Sequence, residues 1–325
     1  AAVPISVLYI HPTGIFGGAS RSLLEMIKAF PEGTIVPHVL TQKGNVVAFC
    51  HNEGIQTIQT LGISQFDHTQ YGFYRGYRWL ILLRELVYAL FTLYALVKAR
   101  LQWKHIDIIH VNEITAVLPI ILARLFFNKP LIVHVRSVQY HTKACWRTTF
   151  VTWMLQHCAD TVVAIDQTVA RSLSTELSVQ VVHNGFSRAH PIHAPEKCDQ
   201  SALDFSDRPL KVAMVGNLLP MKGIYEFIEA ARLCKERHIN AEFIIVGSST
   251  RALRGVKGYL LKKLRLAQDV STDVPGLIQH YELEDIIHLV GFTPNIQAIY
   301  DTIDVLCFPS YLNAVGRPVI EAAFS

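Results

Sequence analysis

The segment PSYLNAVGRPVIEA, residues 309–322, follows an apolar run with the length of a buried strand and leads into a sequence typical of a helix. It combines a glycine, Gly316, with one carboxylate, Glu321, which we place in the first turn of that helix. The backbone amides from Asn313 to Gly316 could bind a diphosphate, and a carboxylate can accept hydrogen bonds from two neighbouring hydroxyls. The alternative is that Glu321 only stabilises the helix dipole.

A second segment, VGNLLPMKG at residues 215–223, follows another apolar run and carries one cation, Lys222, just before a predicted helix. A lysine at that place opposes the helix dipole, which favours anions at the N-terminal end. A phosphate group beside Lys222 would explain the lysine, and the alternative is a solvated lysine on the surface.

Two basic side chains, His134 and Arg136, alternate with valines in VHVRS at the end of a third apolar run. Alternate residues of a strand share one face, so these two side chains should lie together. The guanidinium fork of Arg136 suits a phosphate or a carboxylate, and the alternative is a buried histidine with a local partner.

A glycine-rich loop, HPTGIFGGAS at residues 11–20, follows the first apolar run. Gly14, Gly17 and Gly18 would allow positive φ angles and a close backbone approach to an anion at a helix N-terminus. The spacing differs from the dinucleotide pattern G-x-G-x-x-G, and no acidic residue ends the second predicted strand. These differences argue against a nicotinamide-dinucleotide site, and the P-loop pattern G-x-x-x-x-G-K-[ST] is absent from the sequence.

All four segments follow predicted strands, and strands alternate with helices along the chain, which predicts parallel sheets covered on both faces. The predicted strands are Val3–His11, Ile35–Leu40, Ile55–Thr60, Ile106–Val111, Pro130–Val135, Thr161–Ile165, Val179–His183, Leu210–Val215, Ala241–Val246, Ile286–Leu289 and Asp304–Phe308. A polar stretch, residues 187–209, interrupts the alternation, so we expect it to link a domain at 1–186 to a second domain at 210–325. Loops at the carboxyl ends of the strands should then face a cleft between the domains.

Composition narrows the class of protein. The 325 residues carry a formal net charge of +4, which is modest and argues against a nucleic-acid-binding protein. Six cysteines without a C-x-x-C pair favour reduced thiols in a cytoplasmic protein, and we expect no secretory signal at the N-terminus. No histidine or cysteine spacing typical of a metal site is present, so we expect neither a metal ion nor a cofactor.

Residues 71–105 contain an apolar stretch, 79–97, that is nearly long enough to cross a bilayer. Basic and aromatic residues flank the stretch, and Glu85 is its only acidic residue. A spanning helix would separate strands that we assign to one sheet, whereas a helix packed wholly inside the domain should have a polar face. We therefore expect a peripheral association with the cytoplasmic face of an anionic membrane.

Taken in order, these segments resemble the retaining glycosyltransferases of the GT-B fold that share the glycosyltransferase family-4 pattern. The resemblance covers nearly the whole chain and includes GGASRSLLEM, DIIHVN, KPLIVHVRS, ADTVVAIDQTVA, VQVVHNG, VGNLLPMKGIYEFIEAARL, FIIVGSS, DIIHLVGFTPNI and DVLCFPSYLNAVGRPVIEA. It implies two Rossmann-like doubly wound domains, the second one incomplete, because the family continues beyond the position of Ser325. It also implies transfer of a sugar from a nucleoside-diphosphate sugar to a glycan or lipid-linked acceptor, with retention and without a metal.

The resemblance further implies where the donor binds. Lys222 matches the family's lysine on the diphosphate, and Glu321 matches its glutamate on the nucleotide ribose. The other donor-binding candidates of the second domain are Asn217, Asn313, Ala314, Val315 and Gly316.

The first domain supplies the remaining candidates. His134 matches the family's histidine near the transferred sugar, and we group Arg136 with it as a catalytic candidate. Gly17 and Gly18 would approach the phosphates and the acceptor from this domain.

Two positions depart from the family pattern. The family usually has arginine where Asn217 stands and glutamate where Asn313 stands, so one cation and one carboxylate are missing. Arg136 or Arg317 would compensate for the missing cation. The departures motivate an alternative of another class, a non-catalytic nucleotide-sugar-binding or scaffold homologue, which would bind a donor without turning it over.

Overall fold

A computed structural model provides the structure of the protein and describes residues 3–70, 72–140, 145–186, 210–248, 270–293, 295–311 and 316–325. The chain divides into two compact units, Ala1–Pro195 and Glu196–Ser325. The predicted linker, residues 187–209, lies outside the described residues, so its limits stay a prediction.

The N-terminal unit contains a sheet of seven strands whose neighbours are all parallel, in the order β3-β2-β1-β4-β5-β6-β7. The strands are β1 (Ile5–His11), β2 (Ile35–Gln42), β3 (Gln56–Thr60), β4 (Ile108–Val111), β5 (Leu131–Val135), β6 (Thr161–Ala164) and β7 (Val179–Val181). The helices are α1 (Gly18–Ala29), α2 (Val46–Asn52), α3 (Ile81–Gln102), α4 (Val117–Phe127), α5 (Trp146–Cys158) and α6 (Gln167–Arg171), and a 3-10 helix, Gly76–Leu80, precedes α3.

The central strand β1 shows why these strands appear in the sequence as continuous apolar runs. Val7 and Tyr9 pack into the core beneath α1 and α2. Leu8 and Ile10 point the other way and pack into the core beneath α3, α4 and α5. Because successive side chains of a strand alternate between faces, a sheet covered on both sides needs apolar residues at every position.

The C-terminal unit repeats this architecture on a smaller scale. Its sheet has four parallel strands in the order β10-β9-β8-β11. The strands are β8 (Leu210–Val215), β9 (Ala241–Val246), β10 (Ile287–Gly291) and β11 (Val305–Leu306), and the described helices are α7 (Ile224–Glu236), α8 (Val270–His280), α9 (Ile296–Tyr300) and α10 (Arg317–Ala323). A 3-10 turn, Pro220–Lys222, joins β8 to α7. Separate apolar clusters cover the two faces of the sheet.

The long helix α3 packs on the sheet through one side only. Ala95, Leu96 and Ala99 are buried in the core, while much of the opposite side is exposed and apolar. By length and composition, the helical segment Gly76–Gln102 could cross a membrane, and 22% of its apolar window is buried within the protein.

The predicted class, two Rossmann-like parallel α/β sheets, is confirmed. The limits of three helices were predicted less well. α2 was not predicted, and α1 begins at Gly18, before the expected Arg21. α10 begins at Arg317, two residues before the expected start, so Glu321 lies beyond the first turn and the helix-dipole explanation for it is wrong.

Candidate functional site

Both sheets reverse their strand order beside their first strand. From β1 the sheet extends through β2 and β3 on one side and through β4 to β7 on the other. From β8 it extends through β9 and β10 on one side and to β11 on the other. In open α/β sheets, ligands bind at the carboxyl ends of the strands at such a reversal. The glycine loop follows β1, and the two predicted donor segments follow β8 and β11.

A buried hydrogen-bond chain occupies the reversal point of the N-terminal unit. Asn112, which directly follows β4, accepts a hydrogen bond from Arg136 Nε through Oδ1 at 2.7 Å. Its amide nitrogen lies 2.9 Å from His11 Nδ1 and donates to it. His11 therefore carries its proton on Nε2, which lies 2.9 Å from Ser20 Oγ in the first turn of α1. Arg136 thus holds the start of α1 in place through two intervening side chains.

The guanidinium group of Arg136 is engaged on all sides within its own unit. Besides Asn112, its Nη1 donates to Asn184 Oδ1 at 2.9 Å, and its Nη2 lies 3.4 Å from His134 Nδ1. The predicted proximity of His134 and Arg136 is therefore seen in the structure. The fork meets neutral side chains, so it reads here as a positioning element, and its assignment as a catalytic group stays a prediction.

Three buried histidines surround this chain, and burial keeps them neutral. Loss of hydration is the main cause that lowers the pKa of His11 and of His110 to about 3, and the positive Arg136 adds to the effect. The same causes, followed by the neighbouring His110, lower the pKa of His134 to about 2. His134 is 5% exposed, and its Nε2 has no hydrogen-bond partner among the described residues. Because Arg136 faces its Nδ1, His134 can offer a hydrogen bond from Nε2 at neutral pH.

A carboxylate that was not predicted lies beside these residues. Glu113 accepts a hydrogen bond from Ser137 Oγ at 2.6 Å and one from the amide of Ile114 at 2.9 Å. Burial raises the pKa of the Glu113 carboxyl, although these hydrogen bonds oppose the shift. Asn112 and Glu113 immediately follow a predicted strand next to β1, so the rule applied to the other segments could also have identified them.

The glycine loop differs from the expectation in its backbone. Gly17 has an extended conformation, with φ of −155°, and none of the three expected glycines has a positive φ. Gly14 is required for another reason, because a Cβ atom there would lie 2.4 Å from the Lys43 carbonyl oxygen. A Cβ atom at Gly17 or Gly18 would meet no described atom within 4 Å. Open space therefore lies beside these two glycines at the start of α1.

In the C-terminal unit, the segments after β8 and β11 pack tightly on each other. Tyr311 donates its backbone N–H to the Met221 carbonyl at 3.1 Å. Gly223 has a φ of +81°, and a Cβ atom there would lie 2.0 Å from the Pro309 carbonyl oxygen. Only glycine satisfies both the left-handed backbone and this close approach.

Lys222 lies at this junction without a counter-ion. Its ammonium group lies 5.1 Å from the centre of the Phe308 ring, a favourable but weak contact for a cation. It makes neither a side-chain hydrogen bond nor an ion pair with any residue that the structure describes. Burial lowers the pKa of Lys222, since the charged form loses hydration without gaining a partner. A half-buried cation of this kind is stabilised by an anion that binds beside it.

Glu321 is already bound on both carboxylate oxygens. Arg317 Nε donates to Oε1 at 2.5 Å, and the hydroxyl of Tyr300 donates to Oε2 at 2.8 Å. The side chains of Arg317 and Glu321 are only 10% and 11% exposed. Arg317 is thus neutralised by Glu321, so Lys222 remains the less compensated cation of this unit's predicted site. Each oxygen of Glu321 keeps a second lone pair that can accept from a further hydroxyl.

The other predicted donor-binding residues differ in how far the structure describes them. Gly316 lies against Phe308, because a Cβ atom there would be 2.1 Å from the ring, so the aromatic side chain contacts both predicted segments. Asn217 is exposed at the end of β8. The predicted residues outside the described part are Asn313, Ala314 and Val315. Within the described ranges, no group of three or more histidine, cysteine, aspartate or glutamate side chains is placed to hold a metal ion.

Comparison with known proteins gives two family matches. The model for "Glycosyltransferase Family 4" matches residues 16–189, which is more than half of the chain. The model for "Glycosyl transferases group 1" matches residues 197–324.

Individual relatives match parts of the chain. The protein WcaL of Escherichia coli strain K12 is 31% identical over 110 residues, and the amylovoran biosynthesis glycosyltransferase AmsK of Erwinia amylovora is 28% identical over 124 residues. These matches cover 33% and 38% of this chain but only 22% and 26% of the two relatives, so the shared part is about a quarter of their length.

A solved structure matches almost the whole chain. The structure of Anabaena HepE in complex with UDP and glucose has a TM-score of 0.69 and 17% sequence identity, and the match covers 98% of this chain and 78% of that one. At this identity the likeness shows the fold alone, which is that of the GT-B glycosyltransferases. With more than half of its residues matched by one family model, the chain belongs to Glycosyltransferase Family 4.

Proposed function

We propose that this protein transfers a sugar from a nucleoside-diphosphate sugar to a glycan or lipid-linked acceptor, with retention of the anomeric configuration and without a metal ion. The single observation that carries the proposal is Lys222, a half-buried cation without a counter-ion at the strand reversal of the C-terminal unit. A diphosphate would supply the missing negative charge. Departure of the nucleoside diphosphate leaves negative charge on its terminal phosphate, and an adjacent ammonium group stabilises that charge.

The C-terminal unit would bind the donor. Lys222 would contact the diphosphate, and the backbone that begins at Gly316 would add amide donors. Glu321 would use its free lone pairs for the ribose hydroxyls while Arg317 and Tyr300 fix its orientation. Asn217 would contribute a neutral hydrogen bond in place of the cation that the family usually has there.

The N-terminal unit would act on the sugar and the acceptor. Neutral His134 would donate a hydrogen bond from Nε2 to a sugar hydroxyl, since its pKa of about 2 leaves it unprotonated at physiological pH. Arg136 would position the reaction site indirectly, through Asn112 and His11, by holding the start of α1. The open space at Gly17 would allow the acceptor or the phosphates to approach the backbone.

The relatives support this choice of reaction class. AmsK is named a biosynthetic glycosyltransferase for amylovoran, and the HepE structure contains UDP and glucose. UDP-sugars are therefore the first donors to test, followed by GDP- and ADP-sugars.

The proposal is tested by replacing Lys222 with methionine, which keeps the length of the side chain and removes its charge. A hydrogen bond to a charged group contributes about 1.5–3 kcal/mol, so the donor Kd should rise about 10- to 150-fold in titration calorimetry. The melting temperature without donor should stay equal or rise, because the substitution removes a cation that burial destabilises.

Lys211→Met is the matched control, since Lys211 lies at the opposite end of the same strand, β8. It should leave donor binding unchanged. An unaltered donor Kd for Lys222→Met, with an intact fold, would show that the lysine does not contact the donor.

Turnover separates the enzyme from the alternative of a binding protein. Release of the nucleoside diphosphate in the presence of an acceptor, insensitivity to EDTA, and a product with the donor's anomeric configuration by NMR are the expected results. Donor binding without release, over a range of glycan and lipid-linked acceptors, would favour the non-catalytic homologue.

A further inference from the structure

The outward side of α3 is apolar along its whole length. We define the outer face of α3 as the stripe formed by Leu83, Leu86, Leu90, Tyr94, Val97 and Leu101. Its members recur every three or four residues, so they lie on one side of the helix. Leu83, Leu90 and Leu101 are 63%, 69% and 71% exposed. At 1.5 Å per residue the stripe is about 27 Å long.

The polar side chains of α3 point inwards, so the usual order of an amphipathic helix is reversed. Glu85 is buried, pairs with Arg84, and accepts the backbone N–H of Gln65 at 2.7 Å. Thr92 is buried and accepts the backbone N–H of Ser64 at 2.8 Å. These bonds fix the rotation of the helix about its axis. The apolar stripe therefore faces outward because the inward side is bound in place.

The charge around the outer face is positive throughout. The exposed basic residues that flank it are Arg75, Arg84, Lys98, Arg100 and Lys104. Between residues 71 and 105 the only acidic side chain is Glu85, which lies on the buried side. An apolar stripe with positive flanks fits an apolar layer with a negative surface.

We propose that the outer face of α3 docks on an anionic lipid bilayer, with the helix axis in the plane of the membrane and the leucines in the acyl boundary. Exposed aromatic side chains of the same helical layer extend this surface, since Trp79 lies before α3 and Trp146 and Trp153 lie on α5. Tryptophan is enriched at the level of the lipid headgroups. The inner leaflet of the cell membrane is the corresponding anionic surface.

Two other occupants fit the described residues less well. A helix that spans the bilayer would take Ala95, Leu96 and Ala99 out of the core and would separate β3 from β4, which belong to one sheet. A second copy packed on the same stripe around a twofold axis would bring the basic flanks of the two copies together. The bilayer satisfies both the apolar stripe and the positive charge.

Sedimentation with vesicles tests the proposal. The full chain should sediment with vesicles of mixed phosphatidylcholine and phosphatidylglycerol at low salt, and much less with phosphatidylcholine alone. Leu90→Glu should weaken this binding at least about tenfold, because it removes a leucine from the apolar contact and adds a repelled charge. Removal of Lys98 or Lys104 by substitution with glutamine should weaken it about fivefold each.

Leu233→Glu is the matched control, as an exposed leucine on α7 of the other unit, and it should bind like the unaltered protein. Circular dichroism should show that each variant is folded. Equal sedimentation of Leu90→Glu and the unaltered protein would overturn the proposal. So would binding that resists carbonate extraction, which indicates a span, or self-association in ultracentrifugation that Leu90→Glu abolishes without any vesicle binding.

Discussion

The buried histidine cluster predicts how the stability of the N-terminal unit depends on pH. His110 lies between Tyr9 and His134, with ring centres 5.3 Å and 5.4 Å away. Burial lowers its pKa to about 3, whereas an unfolded histidine titrates near about 6.5. Below about pH 6.5 the unfolded chain therefore binds a proton that the folded unit excludes, so acidification destabilises the fold.

The size of the effect follows from linkage. Between about pH 7.5 and about pH 5, one such histidine reduces the free energy of unfolding by about 2 kcal/mol. Any folded pKa well below pH 5 gives the same figure. His110→Phe keeps an aromatic ring between its neighbours and removes the titration. Across this pH interval the variant should lose about 2 kcal/mol less stability than the unaltered protein, although other titrating groups act on both.

Urea unfolding at a series of pH values measures this difference. The four tryptophans, at positions 79, 103, 146 and 153, all belong to the N-terminal unit, so their fluorescence reports that unit alone. His280→Phe, which alters an exposed histidine of the other unit, should leave the fluorescence transition unchanged at every pH. A constant difference between His110→Phe and the unaltered protein from pH 7.5 to 5 would refute the view that the folded unit keeps His110 neutral.

Two further predictions concern the C-terminal unit, which lacks tryptophan and is followed by hydrogen exchange. Gly223→Ala should destabilise it by at least about 2 kcal/mol, since φ is +81° and the new Cβ would overlap the Pro309 carbonyl, while the tryptophan transition stays in place. Glu321→Gln should lower donor affinity and also reduce stability without donor by about 1.5–3 kcal/mol, because Arg317 loses its charged partner. Unchanged exchange in both variants would contradict the contacts described for Pro309 and Arg317.

The sheets could be predicted from the sequence because strands covered on both faces are apolar at every position. The continuous apolar run around Leu8 and Ile10 is an example. α2 was missed because its seven residues are too few to establish a helical period. Hydropathy also could not separate the two sides of α3, since leucines that are buried and leucines that are exposed are the same residue type.

The candidate site was predicted where chemistry and strand ends coincide, as for Lys222, His134 and Arg136. The partners of those residues were not predicted, because they come from distant parts of the chain. Nothing local to Asn184 indicates that its side chain meets Arg136, which is 48 residues earlier. Similarly, the pairing of Arg317 with Glu321 follows from where α10 begins, and a two-residue error in that start concealed it.

The reach of Arg136 also determines when the N-terminal unit can be completed during synthesis. Its guanidinium group joins Asn112 to Asn184, and at about 5–20 residues per second the ribosome needs about 4 to 14 seconds to make the segment between them. The central strand β1 emerges first, yet one of its two neighbours, β4, begins at Ile108. Until then β1 has an open edge in a nascent chain rich in apolar segments. The arrangement that fixes the glycine loop thus makes the early chain a natural substrate for chaperones.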